Sequence, residues 1–146
     1  MNNIVIVIDN NIIDEYHKYY FDKYPKRKVL PIKSVFPPSL NRFISMKRMA
    51  QNDCKQKYKE FSVWLASKEN IANLSLDKVI FNYTFFFSDH RRRDFDNLVL
   101  TPKFINDGFV NAKVIIDDCG EKVKIEFENF EYDKSNPRIQ IIIKER

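Results

Sequence analysis

The chain has 146 residues, 44% of them apolar, with 25 basic and 20 acidic side chains, a net charge of +5 and only two glycines. That length suits one domain around one core, and that composition excludes a disordered chain. No run of about 18 uncharged apolar residues occurs, so no membrane-spanning helix is expected, and the mildly basic balance favours a polyanionic partner.

The opening M-N-N-I-V-I-V-I-D-N lacks the basic region and long apolar segment of a secretory signal. Its β-branched alternation from Asn3 to Ile8 predicts a first strand. Ile12 to Tyr24 carries apolar residues at helical spacing and is stopped by Pro25. Val29 to Phe36 predicts an extended segment, with Pro31 marking an edge or bulge. Pro37-Pro38-Ser39 forms a rigid turn, and Leu40 to Gln51 reads as a loop or irregular helix. Cys54, Tyr58, Phe61 and Leu65 make one helical stripe, widened by Trp64; core packing explains these aromatics better than base stacking. Lys55, Lys57 and Lys59 lie off that stripe and are expected to be solvated. Asn70 to Asp77 is a connector.

Lys78 to Ser88 is the strongest strand. Val79, Phe81, Tyr83, Phe85 and Phe87 share one side and Ile80, Thr84 and Phe86 the other, which predicts a central strand covered on both faces. A helix follows Asp96, with Thr101 as its cap, Pro102 at its first position, and Gly108 ending it or lying within a longer helix to Ala112. Val114 to Ile116 is a short apolar run, and Asp117 to Glu121 a turn. Lys122 to Tyr132 alternates and then slips phase at Phe130, which hints at a bulge. Lys134 to Pro137 reads as a hairpin turn before a last strand, Arg138 to Lys144. The expected fold class is α+β, a single mixed β-sheet with helices packed on it. Cys54 and Cys119 have no metal-type spacing and are expected to be free, buried or half-buried thiols of a cytoplasmic protein.

The chemistry concentrates between Arg91 and Asp118. Three arginines, Arg91, Arg92 and Arg93, run into Asp94 and Asp96, with Asn97 next. Lys103 follows, and Asp117 and Asp118 close the stretch. In extended backbone, residues two apart face one way about 6.5–7 Å apart. Two carboxylates so placed repel, and a hard dication such as Mg²⁺, or Mn²⁺ in its place, relieves that repulsion. Asp118 or Asp117 could complete the ligand set. Such an ion polarises a phosphodiester and lowers the pKa of water, while Lys103 neutralises developing charge and the arginines grip neighbouring phosphates. A solvated network of surface ion pairs is the plainer reading of the same residues. His90 reads as an exposed histidine and His17 as structural. No nucleophilic triad assembles from Ser, Cys and His.

The order R-R-R-D-x-D-N, a lysine, Asp-Gly and an apolar run ending in Asp-Asp resembles the RusA family of Holliday junction resolvases. Pro37-Pro38-Ser39-Leu40-Asn41-Arg42 resembles that family's N-terminal Pro-Pro-Ser-x-Asn segment, and Pro137-Arg138 with its strand resembles the family's closing strand. The resemblance covers roughly Phe36 to Glu145, leaving residues 1–35 as an extension of a single 1–146 domain. Lys103 lies seven residues after Asp96, a departure from the best-known spacing, but keeps its place four before Asp107.

The resemblance implies a RusA-like fold and a homodimeric, Mg²⁺-dependent endonuclease that resolves four-way DNA junctions by paired symmetric nicks in recombination and repair, from a bacterial or phage source. It implies that Asp94, Asp96 and Asp118 bind metal, that Lys103 is catalytic, that Arg93 contacts DNA and that Asn97 orients the site. Arg91, Arg92, Asn97, Arg42, Lys47 and Arg48 are further candidates for DNA contact. Cleavage of flaps, forks or other branched nucleic acid, and DNA binding without cleavage on the same fold, are the alternatives.

Overall fold

A computed structural model of the protein describes residues 3–146, so the first two residues of the 1–35 extension lie outside the described residues. Strand β1 (Ile4–Ile8) leads into helix α1 (Asn10–Lys23). The side chain of Asp9 accepts from the Ile12 N–H at 3.0 Å and caps α1, which starts at Asn10, two residues ahead of the apolar periodicity. Helices α2 (Leu40–Ile44) and α3 (Arg48–Lys68) follow, then strand β2 (Val79–Phe87). A 3₁₀ turn (Phe95–Leu98) runs into α4 (Leu100–Asn111), and β3 (Val123–Phe127), β4 (Glu131–Tyr132) and β5 (Arg138–Glu145) complete the chain.

The five strands form one mixed sheet in the order β1-β5-β2-β3, with β4 beside β2. β5 runs antiparallel to both β1 and β2, while β3 and β4 run parallel to β2. The fold is α+β, as its pattern of elements predicts. β2 is the central strand: Val79, Phe81, Tyr83 and Phe85 are wholly buried and Phe87 nearly so. Helix α4 meets that face, with Phe109 stacked 6.1 Å from Phe81. Helix α3 packs on α4, Tyr58 lying 5.7 Å from Phe104, and α1 packs on α3 through Tyr16 and Phe61 at 5.1 Å.

Several expectations need correction. The second face of the sheet is covered only in part: Asn82 and Thr84 of β2 are buried, Ile80, Phe86, Gln140 and Ile142 are partly buried, and Val5 is 54% exposed. Residues 29–36 form no strand. Pro31 offers no N–H to a ladder, and the Ile32 carbonyl accepts from His17 Nε2 at 2.8 Å, so Ile32 and Val35 are buried without pairing. The tract from Leu40 is a short helix whose Ser39 hydroxyl accepts from the Arg42 N–H, and α3 begins at Arg48.

Thr101 does not cap α4. The helix starts at Leu100, directly after the 3₁₀ turn, and Pro102 falls in its first turn, where no N–H is required. Gly108 lies inside α4 because α3 crosses it closely; a Cβ there would stand 2.2 Å from Ser62 Cβ. The turn at 134–137 joins no hairpin. β4 and β5 lie on opposite edges of β2, so the chain passes over the end of the central strand. Lys57 is half-buried and donates to the Tyr20 hydroxyl at 2.9 Å, and Lys59 is half-buried too. Both cysteines are free, but Cys119 is exposed, on the turn that precedes β3.

Candidate metal and nucleic-acid site

The acidic motif does not continue the Phe-rich strand. β2 ends at Phe87, and a loop from Ser88 to Arg93 intervenes. Asp94 keeps extended backbone (φ −113°, ψ 141°), but Asp96 lies in the 3₁₀ turn, so extended alternation does not set the relation of the two carboxylates. They nevertheless line one cavity of about 450 Å³, together with Leu40, Asn41, Phe95 and Asn97. Both carboxylates are exposed, and Asp94 has only a 4.0 Å approach from Arg92 Nε.

The loop is organised by Asp89. Its Oδ1 accepts from the Arg91 N–H at 3.0 Å and from Arg93 Nη2 at 2.8 Å. These partners, the backbone N–H of Arg91 first and the Arg93 guanidinium next, hold the Asp89 carboxyl below its ordinary value. Arg93 also donates to the Asp89 and Arg91 carbonyls and stacks 3.9 Å over Phe87, leaving its side chain 21% exposed. Its guanidinium thus holds the loop in shape. Arg91 and Arg92 project outward, 81% and 92% exposed. His90 is exposed and rests against Tyr132, with ring centroids 3.8 Å apart.

Asn97 ties this loop to α2. Its Oδ1 accepts from the Asn41 N–H at 2.9 Å, across 56 residues of sequence. The Pro-Pro-Ser-x-Asn segment and the Asp-x-Asp-Asn segment therefore share one cavity wall. Arg42 turns to a different cavity, lined also by Lys33, Cys54 and Lys57. Lys47 and Arg48 are exposed at the start of α3.

Lys103 and Asp118 meet elsewhere. They line a neighbouring cavity of about 310 Å³ with Asn106 and an apolar wall of Val99, Pro102, Val123, Ile125 and Phe127. Phe95, on the wall of the first cavity, stacks 5.5 Å from Phe127, on the wall of the second. Asp117 Oδ1 accepts from the Asp118 N–H at 2.7 Å, a local turn bond that gives Asp117 a structural role. Asp107 is the acid that sequence reasoning passed over. Burial, and then the charge and hydrogen bonding of Asp118, push its carboxyl above the ordinary value, against the pull of Lys103 and Lys59. The signal for it was readable: Lys103 and Asp107 stand four apart, on one face of a helix.

The candidate site is thus divided between two cavities. Among the described residues, no three or more His, Cys, Asp or Glu side chains are grouped to hold one metal ion. Asp94 and Asp96 alone, open to solvent, still suit Mg²⁺, which keeps several waters and binds through one or two carboxylates plus substrate phosphates. Asp118 is not on that cavity's wall. No family model and no curated protein matches the sequence. Among the described residues, no helix is long and apolar enough to cross a membrane.

Proposed function

We propose that the protein is a Mg²⁺-dependent endonuclease acting on branched DNA, with four-way junctions as its preferred substrate. One observation carries the reading: the hydrogen bond from the Asn41 N–H to Asn97 Oδ1, at 2.9 Å. It joins the two segments on which the resemblance to the RusA family rests, though nothing in their separate compositions requires them to meet.

Asp94 and Asp96 would hold the ion. When bound, it supplies Lewis-acid polarisation of a phosphodiester and a lowered pKa for attacking water. Asn97 fixes the turn bearing Asp96 against α2 and so keeps the two carboxylates on one wall. Arg91 and Arg92, exposed beside them, hold flanking phosphates. Lys103 carries positive charge at the mouth of the adjoining cavity, where it opposes negative charge developing on the phosphorus centre. Asp107 and Asp118 set the position and charge balance around that ammonium. Resolution of a junction with approximate two-fold symmetry needs two matched nicks, so the active species is a two-fold dimer.

The test is a cleavage panel of four-way junction, fork, flap and linear duplex at one salt concentration with Mg²⁺. The reading expects paired nicks in the junction and slower cleavage of the others. Equal cleavage of all branched substrates would keep the nuclease and remove the junction preference. A second reading, DNA binding without cleavage, is favoured by the separation of Asp118 from the Asp94–Asp96 cavity. It predicts junction binding with no nicking at any metal concentration.

A further inference from the structure

The cavity that holds Lys103 is built unlike a pure phosphate site. Most of its wall is apolar, and Val123, Ile125 and Phe127 come from one strand, β3. Besides Lys103, the polar groups in the lining are the exposed Asp118 and the buried Asn106. Asn106 is only 4% exposed, sits inside α4 and lines the cavity. Its Oδ1 accepts from the Tyr83 hydroxyl at 3.2 Å, from a tyrosine wholly buried in the central strand. That bond engages the amide through Oδ1 and leaves Nδ2 as its donor group. A cation, Lys103, stands exposed at the rim. The stacked pair Phe95–Phe127 links this cavity to the one lined by Asp94 and Asp96.

A flat ring with apolar faces, a hydrogen-bonding edge and an attached phosphate matches these features. The apolar wall and Phe127 suit the ring faces, Asn106 Nδ2 suits an acceptor on the ring edge, and Lys103 suits the phosphate. The volume of about 310 Å³ lies at the small end of the range for ligand pockets, which fits one base and not an oligonucleotide. We propose that this cavity seats one unstacked nucleobase of the DNA strand whose phosphate lies at Asp94 and Asp96. The inference rests on the nucleic-acid reading above and adds to it a subsite that decides where along a strand the nick falls. Branch points supply such a base at low cost, because stacking is already interrupted there.

The experiment needs no cleavage. Four-way junctions carrying 2-aminopurine at successive positions around the branch are mixed with the full chain in Ca²⁺, and binding is followed in parallel by anisotropy. One probe position should brighten several-fold as the complex forms. The same position in complexes of Ile125→Trp, which fills the cavity, should stay dark. Asn106→Asp keeps an acceptor for Tyr83 while exchanging the donor for a carboxylate, and should weaken the response. An abasic residue at the responding position should reduce wild-type affinity several-fold, a result independent of any variant's folding. Saturated anisotropy with every probe silent, or an abasic junction bound as tightly as the intact one, would overturn the base subsite while leaving the nuclease reading standing. No anisotropy change at all would overturn both.

Discussion

Asp96 and Asp94 are exposed, and neither carries an ion pair shorter than the 4.0 Å approach of Arg92 to Asp94 among the described residues. Neutralising either should therefore leave folding intact. Asp96→Asn is expected to lower Mg²⁺-dependent nicking by roughly 10²-fold or more, with an unchanged thermal midpoint, in single-turnover assays run beside thermal melts. Two other aspartates give pH signatures of opposite sign. Asp89 is held below its ordinary value, so its contribution to stability is present above that value and lost as pH falls through the folded one. Asp107 is held above its ordinary value, so its stabilising difference is present at low pH and lost as pH rises through the folded value. Asp107→Asn should consequently raise the melting temperature, relative to wild type, more at pH 7 than at pH 4. A constant difference across that range would contradict the assignment.

The helical layer depends on close approach. Gly108 sits where α4 crosses α3, and an added Cβ would meet Ser62 Cβ at 2.2 Å and the Lys59 carbonyl at 2.9 Å. Gly108→Ala should cost about 1–3 kcal/mol in denaturant unfolding, since the two helices must separate to accept it. Tyr16 gives the reverse case. Its hydroxyl is buried without a hydrogen-bond partner among the described residues, so Tyr16→Phe should stabilise the fold by about 1 kcal/mol. Much of this layer was legible in sequence: the stripe through Tyr58, Phe61 and Leu65 is the buried face of α3, and alternation in Val79 to Phe87 is the buried face of β2. What periodicity cannot carry is contact between distant segments. The Ile32 carbonyl answers His17 instead of a neighbouring strand, and the chain after β4 crosses over β2 instead of turning back beside it. At the site, the residue types of Asp94, Asp96, Asn97 and Lys103 were readable. Their division between two cavities was not, because it depends on how the 3₁₀ turn seats Phe95 against Phe127. Likewise, three successive arginines look equivalent in sequence, and only the folded loop separates Arg93, turned inward on Asp89 and Phe87, from Arg91 and Arg92.

For the molecule as one body, the proposed reaction demands two equivalent sites. Analytical ultracentrifugation should find a species of twice the 17.5 kDa chain mass, at least in the presence of junction DNA. Affinity for that DNA should fall steeply with salt, and the Arg91→Ala and Arg92→Ala pair should flatten the slope of log affinity against log salt by about two. All of this presupposes that the cavity of Asp94, Asp96 and Asn97 is where a divalent ion binds. A Mg²⁺ titration followed by backbone amide chemical shifts tests that directly. Shifts should centre on Asp94 to Asn97, extend through the hydrogen bond to Asn41, and vanish in Asp96→Asn. Shifts centred on Asp107 and Asp118 instead, or none anywhere at millimolar Mg²⁺, would contradict it.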